Sequence, residues 1–221
     1  MAASRARAAH SPEDACTAEP FVPRHADLAA LRVAAAGCRG CPPHRDATQT
    51  VFGAGDAGAR VMLVGERPGD QEDRQGRPFV GPAGKLLDRA LAEAGVDPGE
   101  AYVTNAVKHF EFTRSEPRKR RIHKPPGLRG MSACGPWPAA EPALVEPELI
   151  VVFGATAGKA LLGSSFRVTE VRGTVLEHEI HGRPERLVPT VHPSSVLRAE
   201  DREGAYRGLV SDLGVAARAL A

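Results

Sequence analysis

Four side chains in this 221-residue chain have the types and settings that chemistry needs: Glu66, Asn105, His123 and His192. Glu66 follows the apolar run 60–65, so a carboxylate stands at the mouth of a buried strand. There it can orient water or face a developing positive charge. Asn105 closes the segment 101–105 and carries both a donor and an acceptor, the pair that reads an N–H beside a C=O. His192 opens His192-Pro193-Ser194 after another apolar segment and can donate to an oxygen that gains charge. His123 ends the basic string Lys119-Arg120-Arg121-Ile122-His123, and a neutral imidazole is also a nucleophile. Plainer roles exist for each: a turn residue at 105, a capping acid at 66, an incidental histidine at 192 and a phosphate-binding histidine at 123.

A second group has the look of a metal site. Cys38-Arg39-Gly40-Cys41 supplies two thiols from one turn, and Cys134 is a third. The fourth donor is either Cys16 or a histidine. In a protein of the cytoplasm, such spacing points to metal or redox work more than to a disulfide. Three Cys and one His suit tetrahedral zinc, and histidine also ligates iron–sulfur clusters. Spacing does not separate the two.

These residues need elements to hold them. The runs 60–65, 101–105 and 149–153 are short and apolar, as buried parallel strands are. Further strands are expected at 174–180 and 186–191. Helices are expected at 26–36, 82–94, around 141–145, at 155–162 and at 200–220, the last as a closing amphipathic helix. Strands alternating with helices predict a three-layer α/β/α domain with a central parallel sheet. In such folds ligands bind beyond the carboxyl ends of the strands, which here carry Glu66, Asn105, Gly154 and His192. The segment 110–130, with three prolines and many charges, reads as a long loop of the functional kind. Residues 1–24 read as a disordered tail, leaving 25–221 as a single domain.

The net charge is +2, so the whole molecule is no strongly basic nucleic-acid binder. From Arg114 to Arg129, however, there are seven Lys or Arg and one acid, a local footprint for phosphate. No apolar run approaches a membrane span, and the N-terminus lacks the apolar stretch of a secretory signal, so a cytoplasmic monomer is expected. Two glycine-rich segments imitate phosphate loops. The 154–160 segment has three residues between its glycines where the motif needs four, and Ala160 cannot ligate magnesium. The 81–86 segment fails similarly. Both read as strand-to-helix turns.

Taken together and in order, Gly65-Glu66-Arg67-Pro68-Gly69, the segment from Gly76 to Gly84 containing Phe79, Tyr102-Val103-Thr104-Asn105 and His192-Pro193-Ser194 resemble the uracil-DNA glycosylase superfamily. The sequence is most similar to the iron–sulfur family 4 enzymes, over roughly residues 20 to 215. Lys119-Arg120-Arg121-Ile122-His123 resembles the loop that defines UdgX, the member that becomes covalently trapped on its product. The resemblance implies uracil excision from DNA, single- or double-stranded, with free uracil as product. It implies catalysis by Glu66, His123 and His192, and substrate contacts by Arg67, Gly69, Asp70, Phe79, Asn105, Arg121 and Ser194. Lys119, Arg120 and Lys124 would meet DNA phosphates. Phe79 would give a flipped base an aromatic face. Cys38, Cys41, His109 and Cys134 would hold a [4Fe–4S] cluster, with zinc as the alternative. The UdgX pattern usually has Gln where this chain has Arg67, which puts a fixed positive charge beside Glu66.

Overall fold

The computed structural model describes residues 16–115, 120–124, 127–180 and 182–221. Its frame is a five-stranded sheet in the order β2-β1-β5-β7-β6. These strands are β1 (Val61–Gly65), β2 (Ala101–Asn105), β5 (Leu149–Phe153), β6 (Leu176–Ile180) and β7 (Arg183–Thr190). β1 runs parallel to β2 and β5, and β5 parallel to β7. The expected α/β/α architecture is therefore present. The sheet departs from the purely parallel form at one edge, where β6 pairs antiparallel with β7. The link between them is too short for a crossover, so only a hairpin is possible.

Side-chain alternation distributes the strands between two cores. Met62, Val64, Tyr102, Ile150 and Val152 face one way, against α1 (Leu28–Ala36), α5 (Pro136–Val145) and α6 (Gly154–Leu162). Val61, Leu63, Val151, Phe153 and Val188 face the other way, against α3 (Pro82–Ala94) and α9 (Arg202–Leu220). Leu87, Leu91, Leu209 and Leu213 are almost fully buried there, each contributing roughly 1.5–3 kcal/mol. Pro82 at the first turn and Gly95 in the left-handed region delimit α3. Asp27 caps α1 by accepting from the Ala30 N–H. Both glycine-rich decoys are helix starts, with Gly81 preceding α3 and Gly154 opening α6.

Three expectations need correction. The segment 110–130 is not a plain loop: β3 (Phe112–Ser115) and β4 (Arg120–His123) form an antiparallel pair, and α4 (Leu128–Cys134) begins in it. Its charge density hid an alternation in which Phe112, Arg114, Arg121 and His123 share one face. α5 starts at Pro136, before the expected 141, because proline is tolerated in a first turn. Residues 16–24, assigned to the tail, pack on the domain: Ala18 is buried and its N–H donates to Ala133 O at 2.7 Å. A short polar helix, α2 (Asp70–Gln75), had no apolar periodicity to reveal it. Among the described residues no helix is long and apolar enough to cross a membrane.

Candidate functional site

Parallel register brings the strand ends together. Gly65 stands opposite Asn105, and Phe153 opposite Thr190. Just beyond them lies a cavity of about 700 Å3 whose lining includes Glu66, Phe79, Asn105, His123, His192 and Ser194. The four residues singled out first from sequence thus share one space. A groove of about 1090 Å3 adjoins it, with Gly69, Glu72, His123 and Arg198 common to both. Arg74, Arg114 and Arg121 also line that groove.

The floor is built from close approaches. A Cβ on Gly65 would lie 2.4 Å from Asn105 Oδ1 and 2.6 Å from Phe79 Cζ, so glycine is required there. Phe79 itself has φ +54°, a left-handed conformation that costs on the order of 1–3 kcal/mol in a non-glycine residue. Gly84 permits it, since a Cβ there would sit 1.6 Å from Phe79 O. Glu72, which sequence reading did not single out, ties two pocket loops together. Its carboxylate accepts from Gly69 N–H at 3.0 Å and Gly81 N–H at 2.7 Å. The turn that carries Phe79 is thereby fixed at Gly81, two residues on.

Asn105 is buried, and its Oδ1 has no hydrogen-bond partner among the described residues. A buried acceptor left open at a cavity is suited to a ligand N–H. Its backbone carbonyl is fixed by Lys108 Nζ at 2.9 Å. Lys108 is itself fully buried, donating to Glu141 Oε2 at 2.5 Å and Thr104 Oγ1 at 2.6 Å, while Tyr102 donates to Glu141 Oε1 at 2.9 Å. This network was not legible in sequence, because its members lie on separate elements with no shared motif.

His192 caps α8 (Pro193–Arg198): its Nδ1 accepts from the Ser194 N–H at 3.1 Å and lies 2.8 Å from Ser194 Oγ. Accepting at Nδ1 leaves the ring proton on Nε2. Burial, helped by the nearby Arg198 and His123, pushes its pKa down to about 4. The ring is thus a neutral N–H donor at ordinary pH. Its plane is 27° from that of Phe79, with centroids 6.0 Å apart.

His123 reaches the cavity from the β3–β4 hairpin. Its Nε2 lies 3.9 Å from Glu66 Oε1. Burial lowers its pKa, opposed by Glu66 and aided by Arg67. Arg121, two residues earlier, pairs with Asp70 and, at 2.6 Å, with Asp73 Oδ2, and its guanidinium lies 5.0 Å from the Phe112 ring centroid. Asp70 also binds Arg74 Nε at 2.9 Å, so its carboxylate is occupied by arginines, at the groove rather than in the cavity. Gly69 lines both spaces and precedes α2. Arg67 turns away: its side chain has 0% exposure, and its Nη1 donates to Lys124 O at 2.7 Å. The surface it lends the cavity is main chain. Lys124 pairs with Glu111 at 2.9 Å. Lys119 lies outside the described residues, and of Arg120 the backbone in β4 is described.

Behind the pocket, Cys38, Cys41, His109 and Cys134 are all buried. Cys41 Sγ lies 3.3 Å from His109 Nδ1. Trp137 Nε1–H donates to Cys38 Sγ, and the Lys108 N–H to Cys134 Sγ, each at 3.2 Å. His109 Nε2 lies 2.9 Å from Thr50 Oγ1, leaving Nδ1 on the side of the thiols. Burial pushes its pKa down to about 4, keeping the imidazole neutral. Three thiols and one neutral imidazole, backed by N–H donors to sulfur, are a donor set that fits a thiophilic metal centre. Among the described residues no group of three His, Cys, Asp or Glu closes on one point as a lone-ion shell does. Cys16, the other sequence candidate, is half-buried at residue 16.

Comparison with known proteins follows the same outline. The chain is 36% identical over 167 residues to the "Type-4 uracil-DNA glycosylase" of Thermotoga maritima, covering 75% of this chain and 81% of that one. It is 35% identical over 185 residues to the protein of that name from Pyrobaculum aerophilum, covering 82% and 90%. The corresponding protein of Archaeoglobus fulgidus is 32% identical over 164 residues, covering 72% and 78%. The family model for the uracil DNA glycosylase superfamily matches residues 52–214, a span that holds β1, the whole pocket and the hairpin, and the chain belongs to that superfamily.

Proposed function

We propose that the protein excises uracil from DNA and is then captured on the abasic product through His123. The observation that carries this reading is the imidazole of His123 facing Glu66 across 3.9 Å at the entrance of a cavity floored by Asn105. A uracil flipped from the DNA stack would lie against Phe79. The open Oδ1 of Asn105 suits uracil N3–H, and its amide N–H suits O4, which distinguishes uracil from cytosine. As the C1′–N1 bond breaks, its electron pair leaves with uracil. The His192 Nε2–H meets the charge that grows on O2, and the Glu66 carboxylate meets the cationic sugar. The lone pair of His123 then forms a bond to C1′. The remaining ring proton passes to water, and the uracil anion takes up a proton. Arg121, with Asp70 and Asp73, would steady the hairpin during this step. Ser194, by holding His192 Nδ1, would fix the donor tautomer.

Arg114 and Arg198, which line the adjoining groove and form no ion pair among the described residues, support DNA phosphate as the partner, single- or double-stranded, with Lys119, Arg120 and Lys124 as further contacts. Cys38, Cys41, His109 and Cys134 would hold a [4Fe–4S] cluster, which supplies structural anchorage next to the pocket and no step of excision. Broad visible absorbance with stoichiometric iron supports the cluster; a colourless protein with stoichiometric zinc after anaerobic purification refutes it.

The names of the relatives favour a second reading, a conventional multiple-turnover glycosylase in which Glu66 activates water. A uracil-containing single-stranded oligonucleotide separates them. Incubation followed by a denaturing gel yields a heat- and detergent-stable shifted band if His123 captures the product, and His123→Ser removes the band while leaving some excision. Abasic product beyond one equivalent with no shift supports turnover instead. Neither band nor abasic product would make the protein a damage binder without catalysis.

A further inference from the structure

Arg67 follows Glu66 directly, yet its side chain has 0% exposure while the residue as a whole retains 6%. What it exposes to the cavity is backbone. The guanidinium runs instead to the base of the hairpin. Its Nη1 donates to the Lys124 carbonyl at 2.7 Å and pairs with Glu111 Oε2 at 3.2 Å. Glu111 Oε1 in turn pairs with Lys124 Nζ at 2.9 Å, and the Lys124 N–H donates to Glu111 O at 3.0 Å. Arg67, Glu111 and Lys124 thus close a ring of contacts immediately after His123.

A hairpin of two four-residue strands does not hold its shape by itself. This one is pinned on both sides of His123: Arg121 to Asp70 and Asp73 before it, Arg67 to the Lys124 carbonyl after it. The second pin is unlike a binding residue in one further respect. Arg67 Nε and Nη2 are buried with no hydrogen-bond partner among the described residues. Unmet donors are costly, so burial of this cation is not explained by stability alone. The contact to the strand that carries the imidazole explains it.

We propose that Arg67 is a positioning residue: it clamps the end of β4 so that His123 is held opposite Glu66, and it sets the rate of capture rather than the recognition of the base. This rests on the capture reading above. Methionine keeps an unbranched apolar stem, removes the donors and leaves the Glu111–Lys124 pair in place. Glu111 keeps Lys124 as its counter-ion and stays partly exposed, so the loss of Arg67 does not leave it a sealed, unpaired charge. Glutamine keeps one donor for the Lys124 carbonyl but loses the ion pair with Glu111.

The test uses the full chain with a uracil-containing single-stranded oligonucleotide under single-turnover conditions. Released uracil and gel-stable adduct are followed separately for wild type, Arg67→Met and Arg67→Gln. In Arg67→Met, adduct formation is expected to fall about tenfold or more beyond any fall in uracil release, since small misplacements of a reacting group have effects of that size. Arg67→Gln should lie between. Amide exchange at Lys124 should quicken in the methionine variant. Adduct formed at the wild-type rate, or adduct and uracil release falling in step, overturns the proposal. If the wild type forms no adduct at all, the capture reading fails, and the clamp is judged by exchange alone: faster exchange at Lys124 upholds it, and unchanged exchange overturns it.

Discussion

Lowering the pH should destabilise this protein through His192. The ordinary value of a histidine is 6.5, and burial takes His192 to about 4. A base whose folded value is depressed takes up its proton more readily in the unfolded chain. Its contribution to stability is complete above 6.5 and is lost as the pH falls from there towards 4. At about pH 5 the unfolded side chain is nearly all protonated and the folded one nearly all neutral, which corresponds to a loss of about 2 kcal/mol relative to pH 7.5. His192→Asn isolates the effect, because asparagine is a good helix N-cap and can accept from the Ser194 N–H as His192 does. Urea unfolding of both proteins at about pH 7.5 and pH 5 gives four free energies. The wild type should lose about 2 kcal/mol more than the variant across this interval. Equal losses would refute the reasoning, since His192 would then titrate like an exposed histidine and could not be counted on as a neutral Nε2–H donor.

Three further outcomes follow from the same geometry. Gly65→Ala forces Asn105 and Phe79 apart, so excision should drop on the order of 100-fold, measured by uracil release, while the urea midpoint moves far less. The ratio of adduct to released uracil should decline in acid as His123 becomes protonated; because its pKa is lowered, the midpoint of that decline lies below 6.5, and a midpoint at or above 6.5 contradicts the burial argument. Lys108→Met leaves Glu141 buried without its cation and should cost about 3–5 kcal/mol in urea unfolding, with Lys108→Met/Glu141→Leu recovering most of it.

The residues that sequence reading located were those at strand ends. An apolar run closed by Gly65 or Asn105 announces both a strand and its terminus, and parallel register then delivers the polar residue to a shared edge. That reasoning reached Glu66, Asn105 and His192 without coordinates, whereas Phe79 was reached through the family resemblance of the 76–84 segment. It failed where packing, not periodicity, decides. The β3–β4 hairpin carries too many charges to read as a strand pair, and those charges are spent on specific acids: Arg121 on Asp70 and Asp73, Lys124 on Glu111. Arg67 was expected to bring its charge to the pocket. Its side chain faces the other way, to Glu111 and the Lys124 carbonyl, partners that no local pattern in the sequence reveals. The Lys108–Glu141 pair had no local signal, since the two residues are 33 positions apart and meet only through the fold.

Capture and turnover differ in what stands opposite Glu66. A water hydrogen-bonded to both Glu66 and His123 at about 2.8 Å, with a near-tetrahedral angle, holds the two atoms about 4.5 Å apart. The observed separation of 3.9 Å is shorter than that. It is also longer than a direct hydrogen bond, so neither atom is committed to the other. On the capture reading, the imidazole takes the part that a water activated by Glu66 plays in turnover. The sheet supplies the rigid part of this arrangement, since Glu66, Asn105 and His192 follow directly from strand ends. The hairpin brings His123 to it and is fastened by arginines on either side of that residue. A pocket divided in this way can keep base recognition constant while the fate of the sugar is decided by how firmly one strand is held.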